Sequence, residues 1–215
     1  MELAILLFNR VTALDAVGPY EVLQRIPGMK VRFVSPNPGV VSTEDGSLAM
    51  VADTLLEDVP APDILLVPGG VGEVAIREDE RVLRWLRAAH ETSTYTASVC
   101  TGALLLAAAG ILDGVPATTH WLGMGELATL GAVPVDERVV ESGKTFTAAG
   151  VSSGIDMALL LAARIAGDDV ARGIQLSIEY DPQPPFDSGS VAKAPKAVFD
   201  LVSAVLAKRQ QEVSG

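Results

Sequence analysis

Tyr95-Thr96-Ala97-Ser98-Val99-Cys100-Thr101-Gly102 runs directly into Ala103-Leu104-Leu105-Leu106-Ala107-Ala108-Ala109 and stops at Gly110. Up to Val99 the residues are β-branched, aromatic or small, the composition of a buried strand. After Gly102 the Ala/Leu run is that of a helix closed by a glycine. Cys100, the only cysteine of the chain, therefore falls on a sharp strand-to-helix turn. A side chain there stands above a sheet and at a helix N-terminus, where free N–H groups and the macrodipole favour an anion. This is a nucleophile elbow with sulfur in place of the serine oxygen. It predicts an accessible thiol of lowered pKa that alkylates quickly at neutral pH. The competing reading is a small buried hydrophobe, since free cysteine is among the most buried residue types.

Strand and helix patterns alternate on either side of the elbow. Residues 2–8 read as a first strand, followed by a helical stretch around 20–25, a strand over 31–35 and a hairpin through 47–53. Residues 63–67 are a continuous apolar run ending in Pro68-Gly69-Gly70, a central parallel strand meeting a tight loop. Residues 81–91 carry apolar side chains at 82, 83, 86 and 89, the spacing of an amphipathic helix. A strand over 116–119 and a helix near 122–130 follow the Cys100 helix. Residues 138–141 and 145–149 form a hairpin around Ser142-Gly143-Lys144. Helices over 153–166 and 169–178, a proline-rich stretch at 181–185 and a last helix near 194–208 complete the chain. The expected fold is a single α/β domain over residues 1–215, with helices on both faces of a mostly parallel sheet.

Composition narrows the function. The chain has 215 residues, 49% of them apolar and only 5% aromatic, so its core is built from Val, Leu, Ile and Ala. A net charge of −11 speaks against binding nucleic acid through phosphates. One cysteine and two histidines leave no structural zinc site, and no metal or organic cofactor is expected. No apolar run reaches the roughly 20 residues of a bilayer span, and the N-terminus lacks a basic region and a cleavage site. With one cysteine there is no internal disulfide, and a cytoplasmic protein is the simplest reading.

In such sheets ligands bind beyond the carboxyl ends of the strands, and four loops lead there. After the first strand comes Leu14-Asp15-Ala16-Val17-Gly18-Pro19. Pro19 suits a first helical position with Gly18 as N-cap, which leaves Asp15 in the loop. Its apolar neighbours suggest a partly desolvated carboxyl of raised pKa, whereas the plainer reading is a helix cap. Gly69-Gly70 offers either oxyanion-binding amides or only a turn. Thr101 is either a hydrogen-bond donor or an ordinary first-turn residue. His120, expected at the end of the 116–119 strand, is either a site residue or a core histidine. His90 and Glu91 read as solvated, and Asp156 as a structural hydrogen bonder. Residues 182–186 read as a docking surface or rigid pocket wall.

These loops carry a resemblance. Leu14-Asp15-Ala16-Val17-Gly18-Pro19, Val67-Pro68-Gly69-Gly70, Ser98-Val99-Cys100-Thr101-Gly102, Ala117-Thr118-Thr119-His120-Trp121, Glu137-Arg138-Val139-Val140, Gly154-Ile155-Asp156 and Glu179-Tyr180-Asp181-Pro182-Gln183-Pro184-Pro185-Phe186 resemble the ThiJ/PfpI superfamily nearly end to end. The resemblance implies a flavodoxin-like three-layer sandwich related to class I glutamine amidotransferase domains. Asp15, where many relatives carry a Glu on the following helix, and the Pro-Pro-Phe segment are most similar to isocyanide hydratases. The same segments also resemble the ligand-binding half of AraC-type regulators, whose helix-turn-helix region this chain lacks.

The hydratase resemblance implies a hydro-lyase that adds water to an isocyanide to give an N-substituted formamide. Cys100 would be the nucleophile, Asp15 the acid and then the base, and Gly69, Gly70 and Thr101 the groups that orient substrate or stabilise charge. His120 would line the pocket. The substrate would be small and neutral, the enzyme a homodimer, and activity would fall as pH rises through the Asp15 pKa. A glyoxalase- or deglycase-like enzyme, a redox sensor oxidised at Cys100, and a non-catalytic binding module are the alternatives. A true amidotransferase fits least, because Trp121 and Leu122 stand where a His-x-Glu pattern needs its Glu.

Overall fold

The computed structural model describes residues 1–214, with side chains through residue 206. The strands are β1 (Glu2–Leu6), β2 (Lys30–Ser35), β3 (Gly39–Ser42), β4 (Ala49–Ala52), β5 (Thr54–Leu55), β6 (Ile64–Val67), β7 (Tyr95–Val99), β8 (Pro116–Ala117), β9 (Val133–Pro134), β10 (Val139–Ser142) and β11 (Thr145–Ala148). The helices are α1 (Ala13–Leu23), α2 (Glu73–Ile76), α3 (Glu80–Thr92), α4 (Gly102–Ala108), α5 (Met124–Thr129), α6 (Ser153–Ala166), α7 (Asp168–Ser177) and α8 (Lys196–Ser214).

Seven strands form the central sheet in the order β10-β11-β7-β6-β1-β2-β5. Every neighbouring pair is parallel except the β10–β11 hairpin. The inner strands are short apolar runs because they are covered on both faces; Ile64, Leu65, Leu66 and Val67 are all fully buried. From β1 the chain crosses through α1 to β2 on one side, and from β6 through α3 to β7 on the other. Right-handed crossovers in opposite directions place α1 and α3 on opposite faces. The packing agrees, for α1 lies against α6 and α6 against α7, whereas α3 lies against α4 and α4 against α5. This is the flavodoxin-like α/β sandwich. The order in which strands are added reverses between the parallel β1 and β6, so the crevice at their carboxyl ends is the switch point at which such sheets bind ligands.

Four elements depart from the sequence reading. Helix α1 begins at Ala13, not at Pro19, and Asp15 lies in its first turn. Pro19 sits inside the helix at the cost of the hydrogen bond that would reach the Asp15 carbonyl. Close helix packing outweighs that loss. A Cβ on Gly18 would lie 3.1 Å from Ile155 Cγ1, and one on Gly154 would lie 3.2 Å from Pro19 Cγ.

The strand expected over 116–119 shrinks to β8, which pairs only with β9 in a separate two-stranded sheet. His120 therefore does not follow a strand of the central sheet. The hairpin expected through 47–53 is β3–β4, a sheet of its own that reaches back to the loop after β1. Val11 bridges Thr43, and the Arg10 N–H donates to the Ser42 carbonyl at 2.7 Å. Finally, His90 is half-buried, with Nδ1 2.9 Å from Thr96 Oγ1, because it faces the sheet edge and not solvent.

Residues 1–178 form one compact unit and residues 179–215 a second. The second holds α8 and the proline-rich stretch, whose Phe186 is 80% exposed.

Candidate active site

Cys100 closes β7 at the elbow with φ +56°, a left-handed conformation that costs a non-glycine residue roughly 1–2 kcal/mol. The surrounding chain holds it there. The Cys100 N–H donates to the carbonyls of Ala148 (3.0 Å) and Ala149 (2.8 Å), and its own carbonyl accepts from Thr119 Oγ1 at 2.7 Å. Gly102 lets α4 start against β6, because a Cβ there would run into the Val67 carbonyl. The sulfur does not stand out in solvent: Cys100 is only 6% exposed.

Asp15 is wholly buried. Its Oδ2 accepts the Gly69 N–H at 3.1 Å, and its Oδ1 is buried without a hydrogen-bond partner. The cap reading fails, since the carboxyl binds a loop of another strand and no N–H of its own helix. The thiol of Cys100 lies against this carboxyl, and each affects the other's proton.

Burial pushes the Asp15 pKa up to about 8; the Gly69 N–H and the thiol pull the other way, and the charge of Glu44 adds to the rise. Burial also raises the Cys100 thiol, followed by the Asp15 charge, while the backbone N–H groups of Thr101 and Val151 oppose it. The lowered thiol pKa expected from the helix N-terminus is thus overturned. One turn of helix and two amides do not offset desolvation beside an acid.

The remaining expected residues gather at the same edge. Thr101 Oγ1 accepts the Gly70 N–H at 3.0 Å. Gly69 and Gly70 must be glycines, because a Cβ on Gly69 would lie 2.5 Å from Thr101 N and one on Gly70 2.5 Å from Thr12 N. Their amides are engaged by Asp15 and Thr101, and the donors that reach the sulfur are Thr101 and Val151. His120 is half-buried and tilts against Trp121, with ring centroids 5.4 Å apart. Its Nδ1 accepts the Leu122 N–H at 3.4 Å, and burial lowers its pKa, so the imidazole is neutral at pH 7.

Two participants escaped sequence reasoning. Val151 lies between the end of β11 and the start of α6 and lacks a chemically telling side chain. Glu44 lies in the turn between β3 and β4, where an acidic pair beside Gly46 reads as ordinary turn chemistry. Asp156, read as structural, is ion-paired with Arg138. Among the described residues no cluster of three His, Cys, Asp or Glu is placed to hold a metal ion. None of their helices is long and apolar enough to cross a membrane.

An elbow thiol set against a buried carboxyl, at the switch point of a flavodoxin-like sheet, defines the class of protein to which fold and site assign this chain. The chain belongs to the DJ-1/PfpI family, whose model matches residues 1–164. It is 46% identical over 200 residues to the isonitrile hydratase of Pseudomonas putida, covering 93% of this chain and 87% of that protein. A solved ThiJ/PfpI family protein from Pseudomonas syringae superposes with a TM-score of 0.94 at 33% identity, covering 99% of this chain and 88% of the other. The HTH-type transcriptional regulator GbdR of Pseudomonas aeruginosa is 27% identical over 179 residues, and the match spans 48% of its length.

Proposed function

We propose that this protein hydrates isocyanides to N-substituted formamides, with Cys100 as nucleophile and Asp15 as proton donor and acceptor. The observation that carries the reading is the buried Asp15–Cys100 pair in a chain 46% identical to an isonitrile hydratase. The active form of the pair holds one proton, which rests on the sulfur and passes to the Asp15 carboxylate to give the reacting thiolate and carboxylic acid. Sulfur adds to the terminal carbon of R–N≡C while Asp15 protonates that carbon, giving the thioimidate R–N=CH–S–Cys100 and an Asp15 carboxylate. Water then adds across the C=N bond, its hydroxyl to carbon and its proton to nitrogen. The carboxylate takes the hydroxyl proton as the C–S bond breaks. Formamide leaves, and the pair again holds one proton.

The chain supplies every group these steps use. Thr101 and Val151 donate to the sulfur as it becomes anionic, and Gly69 holds the acid toward it. A neutral His120 lines the site without transferring a proton. The substrate is a small neutral isocyanide; the enzyme works as a homodimer, as the family resemblance implies, and in the cytoplasm, which a single cysteine suits.

The test is formamide formation from alkyl and aryl isocyanides, with a transient adduct of substrate mass on Cys100. Consumption of methylglyoxal without any formamide would replace this reading with the glyoxalase one. The similarity to GbdR favours a second reading, a ligand-binding module. That module would bind isocyanide or another small molecule reversibly, with no formamide and no adduct.

A further inference from the structure

Glu44 has no part in the steps above, yet the fold builds it into the edge of the site. The β3–β4 hairpin is tied to the loop after β1 by the Val11–Thr43 bridge, by Arg10 N–H to Ser42 O (2.7 Å) and by Ser42 N–H to Asn9 Oδ1 (3.1 Å). At the end of this seam Thr12 Oγ1 donates to Glu44 Oε1 at 2.6 Å. Thr12 also donates its N–H to the Gly69 carbonyl at 2.9 Å, and Gly69 in turn holds Asp15. The Glu44 carboxylate is therefore half-buried and fixed, at the end of a hydrogen-bonded chain that runs through Thr12 and Gly69 to the acid.

From there its charge reaches Asp15, Cys100 and His120 alike. At the thiol it acts with the same sign as the Asp15 carboxylate. A fixed charge in a partly desolvated rim is screened less than one on the open surface.

We propose that Glu44 is a specificity-determining residue, a fixed carboxylate at the rim of the site that rejects anionic substrates and admits neutral or cationic ones. In the hydratase reading, on which the substrate class rests, isocyanides bearing a carboxylate are excluded and those bearing an amine or no charge are accepted. The nearest alternative for Glu44, a purely structural tie to Thr12, makes no distinction between reagents of different charge.

Cys100 is the only cysteine, so alkylation of the intact protein reports on this site alone. The rates of neutral iodoacetamide and anionic iodoacetate are compared in the natural protein and in Glu44→Gln, each divided by its rate with a small free thiol. Taking the ratio of the two reagents cancels any change in thiolate fraction. The natural protein is expected to prefer iodoacetamide, and Glu44→Gln to narrow that preference about three- to tenfold, the size of one partly screened charge interaction. Added salt should narrow it in the natural protein and much less in the variant. Glu91→Gln, an exposed carboxylate at the opposite end of the strands, should leave the ratio unchanged.

An unchanged ratio in a folded Glu44→Gln, or an equal effect of Glu91→Gln, would overturn the proposal. If Glu44→Gln does not fold, the salt dependence of the natural protein decides, and a preference indifferent to salt counts against the charge. The same variants are then assayed with an uncharged alkyl isocyanide and with isocyanoacetate. Loss of discrimination between the two in Glu44→Gln extends the alkylation result to turnover. No turnover of either by the natural protein, with the alkylation ratio shifted as expected, removes the hydratase reading and leaves the charge filter standing.

Discussion

Asp15, in the first turn of the helix after β1, and Gly69, in the loop after the neighbouring β6, are joined by a 3.1 Å hydrogen bond from the Gly69 amide to the Asp15 carboxyl. Among the described residues it is the only N–H bond to the buried carboxyl, whose other polar neighbour is the Cys100 thiol. A group so placed is costly to ionise, and that cost belongs to the fold as well as to the chemistry.

Stability should therefore depend on pH through Asp15. Its pKa rises from 3.8 to about 8 on folding. Between those values the folded chain keeps a proton that the unfolded chain has lost, so stability falls as pH rises through the window. At 1.36 kcal/mol per unit the loss amounts to roughly 4 kcal/mol by pH 7. Asp15→Asn removes this dependence. Its stability relative to the natural protein should grow between pH 4 and pH 8 in urea unfolding, while turnover nearly vanishes. Glu73, buried and raised from 4.5 to about 7, leaves a smaller slope of the same sign in the variant. A gap between the two proteins that does not change with pH would sink the assignment.

The pH dependence of turnover follows from the thiol as well as the acid. Counting the Asp15 proton alone predicts activity that falls as pH rises. Because burial also keeps Cys100 protonated, the pair carries two protons below about pH 8 and one above it. The one-proton form is the reactive one, so kcat/KM and alkylation should both climb as pH rises toward 8. Turnover should fall again only when the second proton leaves. Cys100→Ala should fold and show neither alkylation nor turnover, since alanine meets the same φ without new strain. A kcat/KM that falls steadily from pH 6 to 8 would assign the chemistry to the doubly protonated pair.

How much of this was legible in the sequence depends on what each signal measures. The elbow was readable because buried strand and Ala/Leu helix differ in composition on the two sides of Cys100. Helix α6 was readable at both ends, from Ser153 to Ala166, because Gly167 stops it. Helix α1 was not, because Gly18 and Pro19 are local stop signals, and only contact with Ile155 and Gly154 overrides them. Misplacing that start left Asp15 in a loop when it is on a helix. The sequence placed the thiol correctly and misjudged its proton, since burial by distant segments does not show in neighbouring residues. Glu44 was invisible for the same reason, as its partner Thr12 lies on another element.

His120 should matter less than either member of the pair. Its neutral ring fills space beside Gly150, where a Cβ would lie 2.8 Å from Cδ2, and transfers no proton in the proposed steps. His120→Ala should raise KM several-fold, change kcat less, and leave the pH profile in place. Complete loss of kcat would favour a Cys–His mechanism. Thr119→Val is the sharper probe of the elbow, because it removes the 2.7 Å bond to the Cys100 carbonyl. It should cost about 1 kcal/mol in unfolding, the net worth of one hydrogen bond, since the carbonyl keeps the longer bond from the Ala103 N–H at 3.4 Å.

Gly69→Ala should separate catalysis from stability most clearly. A Cβ at this position would lie 2.5 Å from Thr101 N and 2.6 Å from its Oγ1, so the loop has to move. Moving it carries the Gly69 amide away from Asp15 and disturbs the hydroxyl that receives the Gly70 N–H. The overpacking should cost about 1–3 kcal/mol of stability. The displaced acid should cost about 100-fold in kcat/KM, as misplacements near 1 Å do in other enzymes. Gly125→Ala in α5 is the control, since nothing lies within 4 Å of its Cβ and a helical alanine should add up to about 1 kcal/mol. Thermal unfolding and isocyanide turnover measured on both variants decide the matter. Natural turnover in a folded Gly69→Ala would show that the loop does not position the acid.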